Sequence, residues 1–137
     1  MQKTQHRAEL ERELYECHAD MCKVFSHPTR LEILNVLREE EMSVSDLAAR
    51  LKVAIGNLSQ HLNMMKQRLV LVSRKDGNVV YYRLANPKML KAFDLIREIL
   101  LEQMQRQSVL VRHAERTRAQ GRVDSFRRAE EGAPWTS

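Results

Sequence analysis

Between residues 56 and 68, the polar side chains Asn57, Ser59, Gln60, Asn63 and Gln67 recur with a helical period. Asparagine and glutamine amides can meet adenine through two hydrogen bonds at once, and a serine hydroxyl can bond a base or a phosphate. Leu58, Leu62 and Met65 fill the intervening positions, so a helix here would bury one side and present the other. Lys66, Arg68, Arg74 and Lys75 follow, cations suited to phosphate oxygens. Such contacts position a protein on a duplex without reading its sequence. Ser45 upstream and Asn78 downstream complete the expected set of nucleic-acid contacts.

A second group with reactive chemistry is Cys17, His18 and Cys22. His18 and Cys22 are four apart and share a helical face, as half of a thiophilic metal site would require. Cys17 falls on the apolar seam of the same helix, where a small buried hydrophobe is an equally good reading. In one straight helix Cys17 and Cys22 lie about 7.5 Å apart along the axis and point roughly 140° apart. A disulfide wants Cα atoms within about 7 Å, so a bridge needs helix unwinding or the partner chain's cysteine.

The elements that must hold these groups follow from periodicity. Leu10, Leu14, Cys17, Met21 and Val24 form a narrow seam along a first helix over residues 6–25. Ser26 or His27 then caps a second helix with Pro28 at its first position, and Leu31, Ile33, Leu34 and Leu37 are its buried face. Ser43 caps a short third helix with Asp46 three residues on. Residues 52–55 connect it to the polar helix, giving a helix-turn-helix. Strand-like LVLVSRK and NVVYYRL flank Asp76-Gly77, a strong hairpin signal, with Tyr81 and Tyr82 on opposite faces. Asn86-Pro87 restarts a helix whose apolar face runs on through Met104 to Leu110, about 37 Å for 25 residues. That exceeds what a small domain needs for its own core and points to packing against a second copy. From about residue 120 the chain loses its apolar period and reads as a disordered basic tail.

Charge agrees with a phosphate-binding middle. Residues 56–83 carry Lys66, Arg68, Arg74, Lys75 and Arg83 against Asp76 alone, within a chain of net charge +5. No apolar run spans a bilayer, and the charged N-terminus has no signal-peptide pattern, so a cytoplasmic protein with reduced cysteines is expected. A glycine-rich phosphate loop, a nucleophile-base arrangement and a paired-carboxylate cleft are all missing, which argues against an enzyme.

Taken in order, HPTRLEILNVL, SVSDLAARL and NLSQHLNMMKQRLVLVSRKDGNVVYYRL resemble the ArsR/SmtB family of winged helix-turn-helix repressors. Ser59-x-His61-Leu62, Arg74-x-x-Gly77 and Val80-Tyr81-Tyr82-Arg83-Leu84 carry the most specific part, and the likeness covers about residues 20–105. It implies that His61 faces the groove or a phosphate; the alternative is a helix histidine bonding a nearby backbone carbonyl. Two positions depart from the family pattern. Val53-Ala54-Ile55-Gly56 lacks the usual Ser or Thr cap, leaving Gly56 or Asn57 to cap a later start. Leu69 stands where a glycine usually ends the helix, so strain is expected at Arg68 or Leu69. The family's thiolate site would fall on Ser43 and Ser45. Its last-helix site would fall near Asp94 and Glu102, where histidine is lacking, so neither metal site is built.

The expectation is therefore a mainly α protein with a small β-hairpin, a winged helix-turn-helix dimerising through its first and last helices. Residues 1–119 would form the DNA-binding and dimerisation domain, and 120–137 the disordered tail. Its partners would be double-stranded operator DNA and a second copy of itself, with no membrane. No cofactor is required; thiol-based release through Cys17 and Cys22, by oxidant, persulfide or a thiophilic metal or metalloid, stands beside inert cysteines. A different class of reading is a winged-helix module for protein or RNA contact without an inducer.

Overall fold

A computed structural model describes residues 1–131, which fall into two compact units, 1–93 and from 94 onward. In the first unit, helix α1 (Gln2–Cys22) passes into a 3-10 turn over Lys23–Ser26. His27 ends that turn in an extended conformation, and its Nδ1 accepts the Thr29 N–H at 3.1 Å. With Pro28 next in sequence, this cap starts α2 (Pro28–Val36).

A short strand β1 (Met42–Ser43) leads into α3 (Val44–Leu51), where the buried Ser43 hydroxyl accepts the Asp46 N–H at 3.1 Å. Lys52, in the left-handed region at φ 55, closes α3. Helix α4 (Ile55–Gln67) follows, then β2 (Leu71–Asp76) and β3 (Val79–Leu84). The hairpin turn is Gly77-Asn78, with Asp76 paired to Val79. Gly77 takes φ +61 at the first turn position, the conformation a two-residue II′ turn reserves for glycine.

The hairpin is one part of a larger sheet. β1 pairs antiparallel with β3 through Met42 and Tyr82, giving the order β1-β3-β2. A two-residue strand leaves no alternation to read, and so the sequence predicts only the hairpin. The winged helix-turn-helix architecture itself is as expected.

One core serves α2, α3, α4 and the sheet. Ile33 and Leu34 of α2, Leu47 of α3, Leu58, Leu62 and Met65 of α4, and Leu71 of β2 are fully or almost fully buried. Tyr82, Leu84 and Phe93 close it from the wing side. By contrast α1 buries none of its side chains, and its seam residues Leu10, Leu14, Cys17 and Met21 are exposed.

The last helix, α5 (Lys88–Glu131), starts where the Asn86 side chain accepts the Lys88 N–H at 3.0 Å. It continues well past residue 119. The expected disorder of the tail is therefore corrected for residues 120–131; residues 132–137 lie outside the described part. Loss of apolar period does not end a helix whose residues are mostly Arg, Ala, Gln and Glu, strong helix formers. Local bonds add to this: Gln120 Nε2 to Asp124 Oδ1 at 3.3 Å and Ser125 Oγ to the Gly121 carbonyl at 2.8 Å. Across residues 94–104, Leu95, Ile96, Ile99, Leu100, Leu101 and Met104 are all about half exposed or more.

Candidate nucleic-acid interface

Helix α4 presents two sides that differ in chemistry. Leu58, Leu62 and Met65 have no exposed surface, while Asn57, Gln60, Asn63, Lys66 and Gln67 are exposed and Ser59 is half-buried. The helix opens two residues before the earlier of the two expected caps, Gly56 and Asn57. Ala54, extended at φ -61 and ψ 138, is the N-cap and offers no side-chain bond. Its carbonyl accepts the Leu58 N–H at 3.0 Å, so Gly56 and Asn57 are helical and neither is the cap. The uncapped N–H groups of this first turn leave partial positive charge at the helix start.

The far end of α4 has the geometry the sequence placed in question. Leu69 sits at φ 60, and the Val70 N–H reaches back to the Met65 carbonyl at 3.0 Å. The Leu69 N–H bonds the Lys66 carbonyl at 3.0 Å. Together these bonds form a Schellman motif with a leucine where glycine is usual.

Three expected contacts are placed differently. The His61 ring packs 4.4 Å from the His27 ring, and its Nδ1 lies 3.3 Å from Arg30 Nη1. It faces α2 rather than the open face of α4. Burial, then the His27 charge, then Arg30 hold the His61 pKa below its ordinary value, favouring the neutral acceptor. Arg68 donates to the Asp20 carbonyl at 3.2 Å and to the Asp20 carboxylate at 3.3 Å, and so ties α4 to the end of α1. Arg74 is held by both carboxylate oxygens of Glu41 and covers the Tyr81 ring. A long cation takes whichever carboxylate the fold brings near, and spacing along the chain does not reveal it.

Lys75, next to the wing tip, and Asn78, within it, are exposed, as is Ser45 near the start of α3. Arg50 and Lys52, exposed at the end of α3, add two cations beside the turn of the helix pair that the sequence expectation omitted. Arg30 was omitted as well. Its guanidinium bonds the carbonyls of Lys23 and Val24, the Ser26 hydroxyl and His61, and so joins the 3-10 turn to α4. A single arginine in the HPTR stretch carries no spacing signal for that role.

Cys17 and Cys22 are both exposed free thiols on α1, which shows no unwinding between them. Among the described residues no three His, Cys, Asp or Glu side chains converge to hold a metal ion, so Cys17, His18 and Cys22 do not form the proposed three-ligand set within one chain. No helix of the described residues is long and apolar enough to cross a membrane.

Residues 27–70, the stretch from the α2 cap through α4, match the family of bacterial regulatory proteins described as arsR. An HTH-type transcriptional regulator of Mycobacterium tuberculosis is 33% identical over 88 residues, which are 64% of this chain and 77% of that protein. The chain belongs to the ArsR family. It is thus a DNA-binding transcriptional regulator, not an enzyme. The crystal structure of the M. tuberculosis protein Rv0081 superposes with a TM-score of 0.63 at 30% identity, covering 69% of this chain and 95% of that one. The transcriptional repressor BigR from Xylella fastidiosa gives 0.57 at 28% identity, over 68% and 94% of the two chains. A homodimeric winged helix-turn-helix DNA-binding domain from Mycobacterium bovis, at 24% identity and TM-score 0.63 over 69% and 87%, shares the fold.

Proposed function

We propose that this ArsR-family regulator is a homodimeric, sequence-specific repressor that reads operator DNA with α4 and lets go in response to thiol chemistry on α1. The observation that carries the reading is the two-sided α4: a fully buried Leu58, Leu62 and Met65 behind an exposed Asn57, Gln60, Asn63, Lys66 and Gln67. A recognition helix needs a rigid back and a front of short polar groups able to enter a major groove. Exposed Lys75 and Asn78 at the wing, with Ser45, Arg50 and Lys52 around the helix pair, suit phosphate contacts.

The exposed seam of α1 and the apolar run over residues 94–104 of α5 support self-association, because a lone chain would leave both in water. The homodimeric M. bovis relative supports the same reading, and the repressor BigR supports repression. A cytoplasmic location is part of this reading, since the partner is operator DNA. No cofactor is needed for binding.

Release is assigned to Cys17 and Cys22, exposed thiols on a helix that would lie in the dimer seam. A disulfide between thiols of two protomers, formed when an external oxidant takes up the two electrons and two protons released, or a thiophilic metal or metalloid bridging the thiolates, would alter the spacing of the paired α4 helices. Selection from random duplexes, followed by mass measurement of the complex, tests the function. Enrichment of a two-fold symmetric site bound by two protomers is expected; failure of any sequence to enrich would overturn the reading.

A further inference from the structure

Helix α5 changes character near residue 106. Over residues 94–104 its exposed side chains are mainly apolar, with Glu98 and Glu102 beside Arg97. From there to residue 128 come seven arginines, no lysine and only two acids, Glu115 and Asp124. Among the described residues none of the seven is in a salt bridge, and Asp124 already accepts from Gln120. All seven are exposed.

We propose that residues 106–128 form a second, sequence-independent DNA contact, an arginine arm that grips duplex backbone in addition to the contact made by α4. The inference rests on the DNA-binding reading above. At 100° per residue, Arg112, Arg116 and Arg127 fall within an arc of about 60° and span roughly 22 Å along the axis. Arg118 and Arg122, four apart, make a second cationic edge. The guanidinium fork matches phosphate oxygens with two parallel bonds, which a lysine cannot offer. Duplex DNA supplies such acceptors at one charge per roughly 1.7 Å of axis.

A second copy of the same segment fits this surface poorly, because cation would face cation along its whole length. The apolar side chains here, Val109, Leu110, Val111, Val123 and Phe126, are scattered around the helix rather than gathered in one seam. Because the arm is tethered to the reading unit, any contact it makes is intramolecular once α4 is bound.

The test is the salt dependence of binding by the full chain to a mixed-sequence duplex of about 40 base pairs, where the affinity is almost wholly electrostatic. The variant carries Arg112→Gln, Arg116→Gln and Arg127→Gln, exposed positions at which glutamine keeps helix propensity. Each lost phosphate contact removes about 0.9 from the slope of log K against log salt, so a fall of about 2–3 per protomer is expected. The matching lysine triple variant should keep most of the slope. An unchanged slope in the glutamine variant overturns the arm, as does loss of single-stranded RNA or anionic-vesicle binding without change on the duplex. Should wild type bind no duplex at all, it is the DNA-binding reading that fails, a distinct result.

Discussion

Arg74 Nε lies 3.0 and 2.9 Å from the two carboxylate oxygens of Glu41, so the base of the wing is clamped to the residue just before β1. The same guanidinium sits 4.4 Å above the Tyr81 ring. Arg74 is therefore occupied, while its neighbour Lys75 is exposed. Lys75→Gln should lower the DNA salt slope by about 0.9 per protomer, and Arg74→Gln should leave it nearly unchanged. A slope loss for Arg74→Gln equal to that of Lys75→Gln would show that the clamp opens on DNA.

The clamp also predicts an acid limb. The Arg74 hydrogen bond holds the Glu41 pKa below its ordinary 4.5. The unfolded chain then binds the proton first, so the stabilisation is complete above about pH 4.5 and is lost as pH falls through the folded value. Urea midpoints followed downward from pH 5 should fall less steeply for Glu41→Gln than for wild type.

His61 predicts a second pH dependence at higher pH. Its folded pKa lies below the unfolded 6.5, chiefly through burial and then through His27 and Arg30. Unfolded chains therefore take up more protons as pH drops below neutrality, and stability declines from about pH 6.5 toward the folded pKa, then levels. His61→Gln should flatten that decline in denaturant midpoints between pH 7.5 and 5. An undiminished slope in the variant would place the titrating group elsewhere.

Leu69 is 77% exposed at φ 60, so its side chain contributes little packing while its backbone is strained. Leu69→Gly should stabilise the chain by about 1 kcal/mol, the left-handed penalty less the added freedom of the unfolded glycine. Thermal unfolding measures it directly, and a lower midpoint would contradict the motif.

Cys17 and Cys22 lie on one unbroken helix and point apart, so oxidation should link chains rather than loop within one. Diamide treatment should give a covalent dimer on a non-reducing gel that Cys17→Ser, Cys22→Ser or the double variant reduces or removes, with matching loss of DNA release. Release that persists in the double variant would move the sensing site off α1.

Much of this was legible from apolar spacing. Leu58, Leu62 and Met65 predicted the buried side of α4 because a 3.6-residue period has few other solutions, Ser43 predicted its own cap, and the α2 cap was narrowed to Ser26 or His27, of which His27 makes the bond. His61, Arg68 and Arg74 were harder. Each is polar and correctly placed on its element, but its partner, Arg30, Asp20 or Glu41, lies over thirty residues away in sequence and is set by tertiary packing. The helical state of residues 120–131 was missed because amphipathic period reports burial, and residues 120–128 bury little.

On this reading the exposed amides of α4, Gln60 and Asn63 foremost, meet the base edges. The most direct test compares Gln60→Ala/Asn63→Ala with wild type on the selected operator and on mixed-sequence duplex. Each bidentate contact is worth about 1–3 kcal/mol, so operator affinity should fall at least tenfold while non-specific affinity and salt slope stay unchanged. Equal operator binding by the two proteins would contradict the account.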